Sequence, residues 1–113
     1  MTNKTDYQLQ VINRIKALRQ QHNISQKGIA DMLDISSGEV GNIESLKYKN
    51  KYTLPQLIKI SKAFKVPIAS LLYEIPPDNV SVDEVMEEVV RYLEWGNLKI
   101  DFNLILKEVI GGV

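Results

Sequence analysis

Two short segments with the spacing of α-helices follow one another between residues 25 and 45, separated by a turn of only a few residues. Ser25 can cap the first segment, and Ser36 and Glu39 have the spacing of a capping box at the start of the second. The apolar positions are Ile29, Ala30 and Leu33 in the first segment and Val40 and Ile43 in the second. The sequence therefore predicts two helices of about two turns each, and the second must be mostly exposed because its apolar side is narrow.

Helical patterns also flank this pair on both sides. Upstream, apolar residues recur at steps of three, and the stripe consists of Leu9, Ile12, Ile15 and Leu18. Asn23 suits the end of this helix, because asparagine tolerates the left-handed backbone conformation. Downstream, Thr53 and Gln56 form another capping box, and Pro67 begins a further short helix. Five helices are therefore predicted in residues 1–75, and the fold class is all-α.

The formal net charge is zero, but the charges are divided unevenly along the chain. Residues 1–75 contain eleven Lys or Arg and six Asp or Glu, a net charge of +5. Residues 76–113 contain three Lys or Arg and eight Asp or Glu, a net charge of −5. Pro76 and Pro77 stand between the two parts, and paired prolines end a preceding helix. We therefore predict one domain at 1–75 and a separate acidic extension at 76–113.

The acidic extension has two apolar patterns of its own. Ser81 and Glu84 can cap a helix whose apolar face comprises Val82, Val85, Met86, Val89, Val90 and Leu93. In residues 98–110, apolar residues alternate with others as in a strand, but their spacing also fits a helix. We expect the helix. The apolar face of that second helix would include Phe102, Ile105, Leu106 and Val109. Apolar faces of this size are expected to be buried against a partner. That partner could be a second copy of the chain, the basic domain of the same chain or another protein.

Composition excludes several classes of function. The chain has no cysteine and one histidine, so it lacks thiolate chemistry and a metal-ligand cluster. No Ser-His-acid arrangement or phosphate-binding glycine loop is present, and we expect neither enzymatic activity nor a cofactor or metal. No apolar run approaches the roughly 20 residues that cross a bilayer, and residues 1–10 lack a secretory signal. We expect a cytoplasmic protein that does not contact membranes.

Residues from about Ile12 to Leu72 resemble the five-helix, phage-repressor-like helix-turn-helix domain of the XRE family of transcriptional regulators. The resemblance is carried by RIKALRQ at 14–20, SQKGIADMLDIS at 25–36, VGNIE at 40–44 and LPQLIKISKAFKVPIASLL at 54–72. It implies a five-helix DNA-binding domain, here followed by a helical extension. It also implies a sequence-specific regulator of double-stranded DNA, a repressor, which reads the major groove with helix 36–45. Asp34 and Leu46 depart from the family pattern, since both stand where glycine is common.

The resemblance further implies roles for individual residues. Gln26 would bond a phosphate at the start of the second helix, Lys27 would add an ionic contact, and the exposed positions of the third helix would read bases. The residues expected at the DNA are Gln26, Lys27, Ser36, Ser37, Gly38, Glu39, Asn42, Lys47, Lys49 and Lys51. Arg19 and Glu44 are expected to form a structural ion pair between the first and third helices.

Some of these assignments have a competing explanation. Glu39 completes a capping box and so need not read a base. Gly38 and Gly41 weaken a helix, which indicates either close approach of the backbone to DNA or a recognition helix without readout groups. The loop at 46–52 interleaves lysine and tyrosine, and it can be either a phosphate-binding loop or an ordinary solvated surface.

Regulators of this type typically read two half-sites through a two-fold axis, so we expect a homodimer. The residues expected at the interface are Val82, Val85, Met86, Val89, Val90, Leu93, Phe102, Ile105, Leu106 and Val109. An alternative function is a protein-interaction module of the same fold, antitoxin-like or a co-regulator. Such a module would bind DNA weakly and would hold a protein partner through the C-terminal extension.

Overall fold

The computed structural model describes residues 4–74 and 81–93, and every regular element in this part of the chain is an α-helix. The six helices are α1 (Asp6–Gln21), α2 (Gln26–Leu33), α3 (Ser37–Glu44), α4 (Leu54–Phe64), α5 (Ile68–Leu72) and α6 (Val82–Leu93). The predicted all-α fold is therefore confirmed for the described residues. None of the helices described is long and apolar enough to cross a membrane.

Side-chain caps determine where most of these helices begin. The hydroxyl of Ser25 accepts a hydrogen bond from the backbone N–H of Gly28 at 3.0 Å, and α2 starts at the next residue, as predicted. The capping box of Thr53 and Gln56 at α4 is also confirmed. A further capping box, made by Thr5 and Gln8, starts α1 before the predicted apolar stripe.

The capping box predicted for α3 is only half formed. The Ser36 hydroxyl accepts from the backbone N–H of Glu39 at 3.0 Å, as expected. The Glu39 carboxylate does not return to the backbone N–H of Ser36, because it accepts the side-chain amide of Asn50 at 3.0 Å instead. Asn50, in the loop after α3, therefore binds the carboxylate that the capping box would have used.

Two residues with positive φ end the first two helical segments. Asn23 follows α1 with φ 55°, and Asp34 ends α2 with φ 56° and ψ 42°. Both lie in the left-handed region, where asparagine and aspartate are tolerated better than most residues other than glycine. The short turn between α2 and α3 therefore depends on a backbone conformation that Asp34 adopts at some cost.

Replacing Asp34 with glycine is expected to raise the free energy of unfolding by about 0.5–1 kcal/mol, because glycine adopts this conformation without a Cβ clash. Chemical denaturation of the two proteins measures the difference. The matched control is Asp31→Gly in the interior of α2, which should lower the same quantity by about 0.5 kcal/mol, through the poorer helix propensity of glycine and the loss of the exposed pair with Lys27. If both variants were destabilised equally, the strain at Asp34 would be negligible.

Internal contacts group the chain into two compact units, residues 1–52 and residues 53–113. The first unit contains α1, α2 and α3, and the second contains α4, α5 and α6. This division falls within the predicted domain 1–75. The predicted boundary after residue 75 lies outside the described residues, as does the Pro76-Pro77 turn, and it stays a prediction.

In the first unit, the buried face of α1 differs from the predicted stripe. Ile12 and Ile15 are buried, but Leu9 and Leu18 are only half-buried. Val11 and the charged Arg19 are buried in their place. The difference arises because steps of three drift around a helix of 3.6 residues per turn, and because Arg19 has a buried partner. The predicted core positions of α2 and α3 are confirmed; these are Ile29, Ala30, Leu33, Val40 and Ile43.

In the second unit, α5 packs against both α4 and α6. Four residues predicted at a dimer interface, Val85, Met86, Val89 and Leu93, are buried within the single chain. Val90 is half-buried, and Val82 is 39% exposed. For α6, this burial favours the fold-back alternative over pairing with a second copy. Phe102, Ile105, Leu106 and Val109 lie outside the described residues, as does the choice between helix and strand for 98–110.

Candidate DNA-binding surface

The pair α2 and α3 forms the centre of the candidate surface. The two helices pack directly on each other, and Ala30 is fully buried on α2. The backbone N–H of Ile35 donates to the carbonyl of Ala30 at 3.0 Å, which closes the turn tightly against the end of α2. A small buried residue and a closed turn allow the two helix backbones to approach each other.

Arg19 and Glu44 form the ion pair that links α1 to the last residue of α3. Two guanidinium nitrogens of Arg19 donate to the two carboxylate oxygens of Glu44, both at 2.7 Å. Arg19 also donates to the carbonyl of Ile24 at 3.1 Å. The exposed fractions of the two side chains are 10% and 4%, so the pair is sheltered from water. This bidentate contact holds the last residue of α3 in a defined position relative to α1.

The Glu44 carboxylate also receives a hydrogen bond from α2, because Gln26 Nε2 donates to it at 3.0 Å. Burial alone would raise the pKa of Glu44, but the hydrogen bonds from Arg19 and Gln26 and the charge of Arg19 outweigh it. The pKa of Glu44 is therefore lower than its usual value, and the carboxylate is ionised at neutral pH. The same hydrogen bond to Glu44 raises the pKa of Arg19.

The outer side of α3 carries small or short polar side chains. Ser36, Ser37 and Gly38 are exposed, and Asn42 is half-buried. A Cβ added to Gly38 would lie 3.9 Å from the nearest atom, and one added to Gly41 would lie 3.6 Å from Gln26 Oε1. Both distances are ordinary contacts. Among the described residues, no neighbouring atom therefore requires glycine at either position.

The start of α2 holds the two predicted phosphate-binding residues. Gln26 is half-buried, and one of its two amide hydrogens is used by Glu44, which leaves the other available. Lys27 forms an ion pair with Asp31 at 3.3 Å, and the two side chains are 76% and 67% exposed. An exposed pair of this kind contributes little free energy, so it does not prevent Lys27 from binding a phosphate.

The loop after α3 exposes most of its side chains. Lys47 and Lys49 are exposed, Lys51 is half-buried and Tyr52 is fully buried. The apolar Leu46 is 62% exposed, although it stands where the family has glycine. The structure therefore places two of the three loop lysines in solvent next to α3, and Tyr52 in the core.

Two residues beside α3 were not predicted from the sequence. Asn50 binds Glu39, and Lys4 binds backbone carbonyls at the end of α3 and in the loop. Lys4 lies outside every apolar pattern, and it reaches partners about forty positions further along the chain. No local signal could have identified it. Asn50 has only the general preference of asparagine for loops.

Comparison with known proteins agrees with this geometry. Residues 15–71, half of the chain, match the family described as helix-turn-helix, and the match spans α2, the turn and α3. Searches of curated proteins and of solved structures found no significant match. The matched range also includes Arg19, Gln26 and Glu44, the residues that join the three helices of the first unit. The chain belongs to the XRE family of helix-turn-helix, DNA-binding transcriptional regulators.

Proposed function

We propose that this protein is a sequence-specific repressor that reads the major groove of double-stranded DNA with α3. The observation that carries the proposal is the outward side of α3, which is free of apolar side chains and which the chain flanks with exposed lysines, Lys27 of α2 before it and Lys47 and Lys49 of the loop after it. An α-helix with its side chains is about 10–12 Å across, which fits the major groove, about 12 Å wide, and short side chains such as those of α3 allow close approach.

Base reading would be shared by few side chains. Asn42 has the paired donor and acceptor that match adenine, and the Ser37 hydroxyl can donate or accept. Glu39 is occupied by Asn50 at 3.0 Å, which supports a structural role for Glu39 in place of base reading. With so few base-reading groups, part of the specificity would come from the shape of the DNA.

Phosphate binding would come from both sides of α3. Gln26 and Lys27 would bind one strand at the start of α2, where the helix dipole also favours an anion. Lys47 and Lys49 would bind the backbone from the loop, and Lys51 would add to the local positive charge. Such contacts set affinity and orientation without carrying sequence information.

The proposed dimer would place two copies of α3 in successive major grooves, roughly 34–36 Å apart. Because much of the α6 face is covered within one chain, the dimer contacts would have to involve other residues of the extension. Binding sites selected from random duplex DNA would then contain two symmetric half-sites. A single asymmetric site would argue that the protein acts as a monomer.

The decisive experiment measures the affinity for selected duplex DNA as a function of salt concentration. The logarithm of the binding constant should fall with log salt by about 0.9 for each neutralised phosphate. Lys27→Gln and Lys49→Gln should each make that slope shallower by about one, because each would remove one phosphate contact.

Lys62→Gln is the matched control, since it removes an exposed positive charge from α4 in the second unit. It should leave the slope unchanged. If the wild-type protein retained no duplex of any sequence at low ionic strength, the proposal would be wrong. The alternative, a protein-interaction module, would then be preferred if a partner protein co-purified with the chain.

A further inference from the structure

Lys4 is a charged side chain buried beside the end of α3. Its exposed fraction is only 5%. The ammonium Nζ donates to the backbone carbonyl of Asn42 at 3.2 Å and also to the carbonyls of Ser45 and Tyr48. Burial lowers the pKa of Lys4 below its ordinary value. Even so, three carbonyl acceptors match the three donors of a charged ammonium group.

The three carbonyls belong to two consecutive parts of the chain. Asn42 lies in the last turn of α3, Ser45 is its C-cap, and Tyr48 lies in the loop that follows. Ser45 has φ −83° and ψ 142°, so α3 ends without the left-handed residue that commonly satisfies its last carbonyls. Lys4 supplies donors to this end instead, and its positive charge complements the negative end of the helix dipole.

A second contact holds the far end of the same loop. Asn50 donates to the carboxylate of Glu39, which lies in the first turn of α3. The chain leaves the last turn of α3 at Ser45 and returns to its first turn at Asn50. Residues 45–50 therefore run back alongside α3, attached near Ser45 and Tyr48 by Lys4 and at Asn50 by Glu39. Lys47 and Lys49 are exposed on this held segment.

We propose that Lys4 and Asn50 are positioning residues that hold the loop at 46–50 against α3, so that Lys47 and Lys49 meet phosphates beside the groove that α3 enters. This inference rests on the proposed DNA-binding function. A held loop loses less conformational freedom on binding than a free one, and its lysines therefore bind more tightly. Lys4 does not bind the phosphate itself, since its ammonium is buried among carbonyls.

The test is a double-mutant cycle on affinity for duplex DNA. Lys4→Met should weaken binding by about tenfold and make the salt slope shallower by about two, because two phosphate contacts are lost when the loop moves. In a protein that already carries Lys47→Gln and Lys49→Gln, the same Lys4→Met substitution should change affinity by less than about twofold. A role in folding alone would not produce this dependence on the loop lysines.

Asn50→Ala provides a second variant in case Lys4→Met does not fold. It removes a partly exposed contact, and it should show the same dependence on Lys47 and Lys49. Hydrogen exchange without DNA supplies an independent measurement, in which Lys4→Met should speed exchange of the loop amides at 46–50. Lys62→Met, an exposed lysine of α4, is the control and should change neither the exchange nor the salt slope.

The outcomes separate this inference from the proposed function. If wild-type protein binds DNA but the effects of Lys4→Met and of the loop substitutions simply add, the positioning role is wrong and the proposed function stands. If loop exchange is unchanged in both Lys4→Met and Asn50→Ala, the loop is not held by these residues, and the inference is again wrong. If wild-type protein binds no duplex, the proposed function fails, and the role of Lys4 in DNA binding fails with it.

Discussion

Replacing Arg19 with methionine is expected to lower the free energy of unfolding by about 3–5 kcal/mol, which is a large share of the stability of a small domain. The substitution removes both 2.7 Å hydrogen bonds to Glu44 and leaves a carboxylate whose side chain is only 4% exposed. A buried charge without its ionic partner has lost its hydration, and here it would keep only the hydrogen bond from Gln26. Denaturant unfolding followed by circular dichroism measures the loss.

A double variant separates the ion pair from the packing of its atoms. Arg19→Met combined with Glu44→Leu removes both charges and keeps most of the buried volume, so it should recover most of the lost stability. Arg19→Lys keeps a positive charge but cannot make the bidentate contact, and it should fall between wild type and Arg19→Met. A loss below about 1 kcal/mol in Arg19→Met would indicate that Glu44 is in fact well hydrated.

The pH dependence of stability should report the same pair. The pKa of Glu44 is lower in the folded protein than in the unfolded chain, so the unfolded state binds its proton more readily. The contribution of Glu44 is therefore fully present above the ordinary pKa of a glutamate side chain, and it is lost as the pH falls through the lower pKa of the folded state. The double variant should lack this part of the acid sensitivity.

Replacing both Gly38 and Gly41 with alanine is expected to change stability and DNA affinity in opposite directions. The free energy of unfolding should rise by about 1–2 kcal/mol, because alanine is the better helix former and both sites have room for a Cβ. Affinity for the selected DNA site should fall by about 100-fold, or about 2.7 kcal/mol, because the added methyl groups would prevent close approach of the α3 backbone to the groove. Thermal unfolding and a DNA titration measure the two effects.

Gly28→Ala is the control for the stability change expected of the α3 variants. A Cβ at this position of α2 would lie 2.8 Å from Cγ2 of Ile24, a distance that forces atoms to move. Gly28→Ala should therefore gain no stability, unlike the α3 variants. If the double alanine variant bound DNA as tightly as wild type, the glycines would instead indicate a recognition helix that simply lacks readout groups.

Much of the fold was predictable because its signals are local. The caps at Ser25 and Thr53, the left-handed residue at Asn23 and the apolar spacing in α2 and α3 each involve residues within a few positions of one another. Such short-range patterns are readable in a single sequence. The predicted contact between Arg19 and Glu44, which is long-range, came from resemblance to the family, and the structure contains it.

The remaining parts of the site depend on contacts that no local pattern contains. Glu39 fitted a capping box by its spacing, but a loop residue eleven positions away competes for its carboxylate. Lys4 reaches Asn42, Ser45 and Tyr48 only after the first unit has folded. The apolar face of α6 was recognised, but periodicity cannot say what covers such a face. The structure buries much of it within the chain.

The carboxylate of Glu44 is the point at which α1, α2 and α3 meet, through Arg19 and Gln26. Gln26 shares one amide hydrogen with Glu44 and has a second to offer a phosphate. Under the proposed function, a phosphate bound by Gln26 would therefore be linked to α3 through Glu44, without any rearrangement of the core. Under the proposed function, nonspecific and specific DNA binding would both use this hydrogen-bonded arrangement of three helices.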